Sequence, residues 1–221
     1  MQRVMVVGAS DHARCTVDVA LARGDVQVVG AVADGDQGAE VDLLGVPLLG
    51  GTELVGAWWR AGRIDAVAVA IGANHARVTV AERLLRDTPG LVFATLVHPS
   101  AEVADTAVIE PGVVMLPRAL VGPRARVGRY GLLTTQCNLN HDCVMAEGAS
   151  LGPGAQVGGG AVIGRESAVA IGAVVRHGGS VGDFSVLGAG AVLTHALPDR
   201  VLAWGIPARV IRSREPGDRY L

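Results

Sequence analysis

From Val103 to Pro198 the chain can be written in sixes without an insertion, giving sixteen consecutive hexads from VADTAV to LTHALP. Every hexad opens on Val, Ile, Leu or Met. Its fifth position is Ala, Gly, Ser or Cys in fourteen of them, with Val113 and Leu197 the exceptions. A sustained period of six, with one large aliphatic and one small residue per unit, is the signature of a parallel β-helix. Three hexads make one triangular coil, so residues 18 apart stack at roughly 4.8 Å. The first-position aliphatics fill the prism, and the fifth positions must be small to fit its corners. Only 3% of residues are aromatic, which suits such thin layers. Cys137 and Cys143 both fall on fifth positions. They read as small core fillers rather than metal or redox groups.

Residues 1–97 follow another grammar. Apolar runs at 3–9, 26–34, 65–73 and 91–98 predict strands, with a short extended piece at 45–51. Helical spacing predicts helices over 11–23, 52–63 and 74–87. Strands alternating with helices imply a parallel sheet covered on both faces. The expected division is a Rossmann-like α/β domain over 1–98 and an all-β parallel β-helix over 99–221. No G-x-G-x-x-G follows the first strand, so dinucleotide binding is not expected.

Net charge is −2 and all 19 cationic side chains counted as Lys or Arg are Arg. Nothing basic enough for nucleic acid is implied. The three cysteines lack metal-type spacing and read as reduced thiols of a cytoplasmic protein. The opening MQRVMVVGAS is too short and interrupted for a secretory leader. No apolar stretch approaches a membrane span.

The unbroken hexads resemble those of the left-handed β-helix, hexapeptide-repeat acyltransferases. WGIPARVIR (204–212) is similar to the G-x-P-A-K/R-x-I ending common in that family. VVGASDHARCTVDVA (6–20) resembles the opening of its sialic-acid O-acetyltransferase and UDP-4-amino-sugar N-acetyltransferase subgroup. The resemblance covers nearly the whole chain. It implies acetyl-CoA as donor, no metal, a homotrimer, and catalysis in the groove between adjacent prisms.

That subgroup carries a catalytic His followed by an acid, which here matches Asn140-His141-Asp142. His141 takes the third position of LNHDCV, near a corner, where a side chain can point outward. Acyl transfer from a thioester to an amine or hydroxyl needs a general base, and imidazole suits that task. Asp142 could hold one tautomer and stabilise the imidazolium, provided the local turn brings the two side chains together. Gly159 lies one coil after His141, and the resemblance implies that its N–H faces the thioester oxygen. His177 and His195 share the third position two and three coils along, about 10 and 14 Å away. They could line the coenzyme groove, but read first as exposed corner side chains. Their spacing rejects a three-His zinc site built by one coil or its neighbour.

The resemblance further implies donor contacts at Ser150, Ile171, Gly188 and Ala189. By their charge Arg209 and Arg212 could meet the coenzyme phosphates, though terminal arginines are more often simply solvated. The family more often has His at the Ser150 position. Acceptor contacts fall on Ser10, Asp11, His12, Asp34 and Asn74. The family's G-H-G is here Asp11-His12-Ala13, and a carboxylate at 11 is awkward beside a pyrophosphate. Asp11 also reads as a helix cap. The function implied is N-acetylation of a nucleotide-linked amino sugar. O-acylation of a sugar hydroxyl or a natural-product intermediate is the alternative, and a non-catalytic or metal-binding β-helix is the rival of another class.

Overall fold

The computed structural model describes residues 1–35 and 42–218. The hexad period becomes a three-sided prism. Its first face stacks Leu96–Val97, Val114–Met115, Leu132–Leu133, Ser150–Leu151, Ala168–Val169 and Val186–Leu187. The second runs from Glu102–Val103 through Asn138–Leu139 and Gln156–Val157 to Val192–Leu193, and the third from Val108–Ile109 through Val144–Met145 to Ser180–Val181. Register is parallel throughout, as in Leu132↔Ser150 and Asn138↔Gln156, so partners are one coil apart.

The physical reason is in the alternation of each two-residue strand. Its second residue points inward: Met115, Leu133, Leu139, Met145, Leu151, Val157, Ile163 and Leu187 are at most 1% exposed. The corners hold Ala119, Cys137, Cys143, Ala155, Ala161 and Ala173, equally buried. Burial pushes the Cys137 thiol up to about 12 and raises that of Cys143, consistent with inert filling. The turn between faces places fourth-position residues in the left-handed region. Gly148, Gly154 and Gly160 do this at φ +66° to +69°, and Arg124, Gln136 and Asp142 at φ +58° to +60°.

The last hexad departs from the pattern. Leu197 bridges Val181, where an unbroken 18-residue register would have placed Asp199. The chain then closes the first face with an antiparallel hairpin, Val201–Gly205 and Ala208–Ser213.

The N-terminal sheet is parallel, ordered β3-β2-β1-β4 from β1 (Gln2–Val7), β2 (Val26–Val32), β3 (Leu48–Gly50) and β4 (Ala66–Val69). Helices α1 (Asp11–Ala22), α2 (Leu54–Arg60) and α3 (Asn74–Asp87) connect them. The α3 range matches the sequence expectation, whereas α2 is shorter at both ends. The stretch 91–98 divides between the halves. Phe93 bridges Val67 of β4, but Leu96–Val97 pairs with Val114–Met115. The prism therefore begins at Leu96, a few residues before the expected boundary.

One side chain ties the halves together. Arg77 of α3 is 1% exposed. It donates to the carbonyls of Ile71 and Gly72 at 2.8 and 3.0 Å and to Asn74 Oδ1 at 2.8 Å. Across the seam it donates to the carbonyls of Tyr130 and Gly148 at 2.8 and 3.0 Å. His75 Nδ1 adds a 2.8 Å contact to Glu166, whose side chain is 4% exposed.

Candidate active site

Hexad LNHDCV turns the chain from the second face to the third. Successive side chains on an extended strand point to opposite sides, so pairing of His141 with Asp142 depends on the turn. Asp142 takes the left-handed conformation at φ +58°, a region Asp tolerates better than most residues. That brings Asp142 Oδ2 to 2.7 Å from His141 Nδ1. Arg124, one coil earlier, donates from Nε to Asp142 Oδ1 at 2.7 Å. The Arg124 bond first, then the His141 bond, holds the Asp142 carboxyl down to about 2. It is a carboxylate at every mildly acidic or neutral pH. An Nδ1–H donated to it leaves the Nε2 lone pair as the free basic site, a tautomer assigned from this network. The His141 side chain is 54% exposed, as its corner position predicts.

Gly159 lies under the imidazole. A Cβ there would sit 2.4 Å from both Cε1 and Nε2 of His141. Among the described residues, no acceptor takes the Gly159 N–H. The neighbouring Gly160 N–H is committed to the His141 carbonyl at 2.9 Å. Position 159 thus offers a backbone donor beside the basic nitrogen.

His177 departs from the sequence expectation. The glycine lets the His141 ring lean along the edge, so the rings of His141 and His177 come within 6.4 Å centroid to centroid, tilted 34°. The spacing of two coils alone had placed them about 10 Å apart, because it counts backbone rise and not the reach of the side chain.

On another side of the prism a cleft of about 330 Å³ separates the halves. His12 and Gly72 line it from the N-terminal domain, facing Leu132, Ser150, Ala168 and Ile171. His12 Nε2 is buried without a hydrogen-bond partner among the described residues. Burial first, and the Arg77 charge second, pushes its imidazole down to about 4. It is neutral at neutral pH and keeps one unused polar atom in an apolar cleft.

The other acceptor candidates do not join it. Ser10 is the N-cap of α1 and its side chain makes no capping bond. Asp11 is therefore not the cap; it is the first helical residue, 94% exposed at its side chain, paired with Arg14. Asp34 lines a different depression with Arg60 and Arg83. It accepts from Thr52 N and Oγ1 and from Arg83, and is held to about 2 chiefly by the Thr52 N–H. Asn74 is buried in the seam, its amide donating to the carbonyls of Glu166 and Ser167.

Residues 3–84 match the PglD N-terminal domain family. No curated relative matches the chain. Among solved structures, a histidine-to-alanine variant of GDP-perosamine N-acetyltransferase from Caulobacter crescentus, in complex with CoA and GDP-perosamine, is 28% identical. The likeness covers 96% of this chain and 98% of that one, with a TM-score of 0.88. The acetyltransferase domain of PglB from Neisseria gonorrhoeae, in complex with acetyl coenzyme A, is also 28% identical, covering 95% and 99% at TM-score 0.87. This chain is an acyltransferase similar to the hexapeptide-repeat sugar N-acetyltransferases. WeeI from Acinetobacter baumannii, 21% identical over 96% of this chain and 100% of that one at TM-score 0.75, shares the fold.

In this acyltransferase the left-handed β-helix leaves Ile171 and Ala189 exposed on the corner between the first and second faces. Gly188 is not available beside them. Its N–H donates to the Ala203 carbonyl at 2.7 Å, and a Cβ there would lie 3.1 Å from that of Trp204. Arg209 is exposed on the hairpin opposite Trp204, and Arg212 meets Asp218. Among the described residues there is no cluster of three His, Cys, Asp or Glu fit for a metal. None of the helices described is long and apolar enough to cross a membrane.

Sequence reasoning missed Arg124 and Arg77. Arg124 stands 18 residues before Asp142, so the coil spacing alone could have found it. Nothing in the sequence distinguishes Arg77 from the other helical arginines. One prediction concerns Gly159. Gly159→Ala should lower kcat about 10²-fold, since roughly 1 Å of misplacement is enough for that. Coenzyme affinity should stay near wild type in calorimetry.

Proposed function

We propose that the acyltransferase moves an acetyl group from acetyl-CoA to the amine of a nucleotide-linked amino sugar. Two relatives of nearly the same length, one in complex with CoA and GDP-perosamine and the other with acetyl coenzyme A, support donor and acceptor class. The observation that carries the mechanism is the Arg124–Asp142–His141 chain of contacts over Gly159. The acceptor amine attacks the thioester carbon while His141 Nε2 takes its proton. Asp142 holds the imidazole by Nδ1 and balances the cation that forms. The Gly159 N–H meets the oxygen on which charge develops.

His141 lies on the edge between the second and third faces, whereas His12, Ser150 and Ile171 lie on the first face and its edge. One chain does not bring base and cleft together. A homotrimer that sets one prism's His141 edge against the next prism's Ile171 edge would. The outward Val108, Val144 and Val162, 41–45% exposed on the third face, fit such coverage.

Purified protein with acetyl-CoA should release thiol with UDP- or GDP-linked amino sugars, and less with free amino sugars. The product should gain one acetyl group that survives mild alkali, as an amide does and an ester does not. Light scattering should give three chains. Turnover restricted to hydroxyl acceptors, or a fully active monomer, would overturn this reading.

A further inference from the structure

We propose that His177 is a second catalytic residue, the acid that protonates the departing CoA thiolate. The proposal rests on the acyl-transfer reading above and adds to it a role for a side chain which that reading leaves idle.

Three successive coils supply the geometry. His141 stands on the first, Gly159 on the second and His177 on the third. Their backbones are laddered: the Gly160 N–H donates to the His141 carbonyl and the Gly178 N–H to the Gly159 carbonyl, both at 2.9 Å. The middle coil has no side chain at the edge. The His141 ring rests there, and a 6.4 Å centroid separation leaves it facing His177. Both imidazoles are open to solvent. The His141 Nδ1 is engaged with Asp142. His177 has no such anchor among the described residues, so its ring can turn toward the gap.

A thioester carbon seated over Gly159 has a nucleophile on one side and sulfur on the other. Hydrogen bonds of roughly 3 Å from His141 to the amine and from His177 to sulfur span the space between the rings. As the C–N bond forms, the amine proton passes to His141 Nε2. As the C–S bond breaks, its electron pair stays on sulfur, which takes the His177 proton. The products are the amide and the free thiol. One surplus proton on His141 and one missing from His177 then cancel by transfer across the gap through a water. Asp142 backs only the His141 cation.

The test compares two donors under single-turnover conditions: acetyl-CoA, and its selenium analogue, acetyl-selenocoenzyme A. A selenolate is a much weaker base than a thiolate and leaves without an acid. His177→Gln should slow transfer from acetyl-CoA by about 10²-fold, with CoA affinity and acceptor KM unchanged. With the selenoester the same variant should stay within a few-fold of wild type. An equal loss with both donors would show that His177 only shapes the corner, and no loss with acetyl-CoA would show that it does nothing; either overturns the proposal. His141→Ala must be slow with both donors. Should it be fast with both, the acyl-transfer reading of the edge fails, whatever His177 does.

Discussion

Replacing His141 with alanine is expected to lower kcat by roughly 10²–10⁴, with little change in acetyl-CoA affinity. The loss is confined to the chemical step because the side chain meets the proton of the acceptor. Asp142→Asn should cost less, since Asp142 orients the imidazole and takes no substrate proton. Arg124→Ala removes the first of the contacts that hold the Asp142 carboxyl near 2. Its pKa then rises toward the usual carboxylate range, so activity should begin to fall at a higher pH on the acid side than in wild type. The acceptor sets the response to alkali. With an amine, raising the pH supplies free base from solution and partly rescues His141→Ala. With a hydroxyl, rescue should be weak. Steady-state kinetics between pH 6 and 9 reads the His141 and Asp142 variants, and extending the series down to about pH 3 reads Arg124→Ala, with folding checked by circular dichroism throughout. His195→Ala, a third-position residue further along the edge, is the matched control and should stay near wild-type rate. Near-normal turnover of His141→Ala would leave positioning of the two substrates as the main catalytic effect.

Why so much of this site was legible in the sequence, and some of it not, follows from the prism. A coil of 18 residues converts sequence distance into position along an edge. Gly159 was therefore found beneath His141, and Arg124 could have been found beside Asp142 by the same arithmetic. The rule fixes backbones only. It put His177 too far away, because an imidazole that meets a glycine can lean across a whole coil. It also could not tell whether His141 and Asp142 pair, since that hangs on the left-handed φ of Asp142. The N-terminal half lacks such a metric. Asn74 begins α3 as expected, yet its amide is spent on the Glu166 and Ser167 carbonyls. Asp34 sits in a depression apart from His12. The Asn74 contacts arise where two domains meet, and no periodicity within either domain encodes that seam; those of Asp34, to Thr52 and Arg83, lie within the N-terminal domain, where no repeat fixes which loops meet. Gly188 illustrates the same limit at the other end, where a hairpin outside the hexads folds Trp204 over it.

The seam itself carries the second large effect. Arg77→Met keeps an unbranched apolar stem and removes all five donors of the guanidinium. The carbonyls of Tyr130 and Gly148 then lose the Arg77 donor at a buried interface. A buried polar group without a partner costs about 1–3 kcal/mol, and these losses are not additive. A total of about 3 kcal/mol would lower Tm by roughly 6–12 °C for a chain of this size. Arg77→Lys should recover little, because a point ammonium cannot reproduce a planar fork that reaches carbonyls on both sides. The change should also be visible at His12. Arg77 is the lesser of the two causes that hold its imidazole near 4, after burial. Removing the charge should raise that value only part of the way toward the ordinary range, as long as the cleft stays closed. If the seam opens instead, burial is lost as well and His12 should titrate like an exposed imidazole. NMR titration of the His12 ring, alongside thermal unfolding, distinguishes a loosened seam from a separated one. In either case acetyl-CoA binding along the prism edge should change less than the acceptor KM, because the cleft is the part that has two walls from two domains.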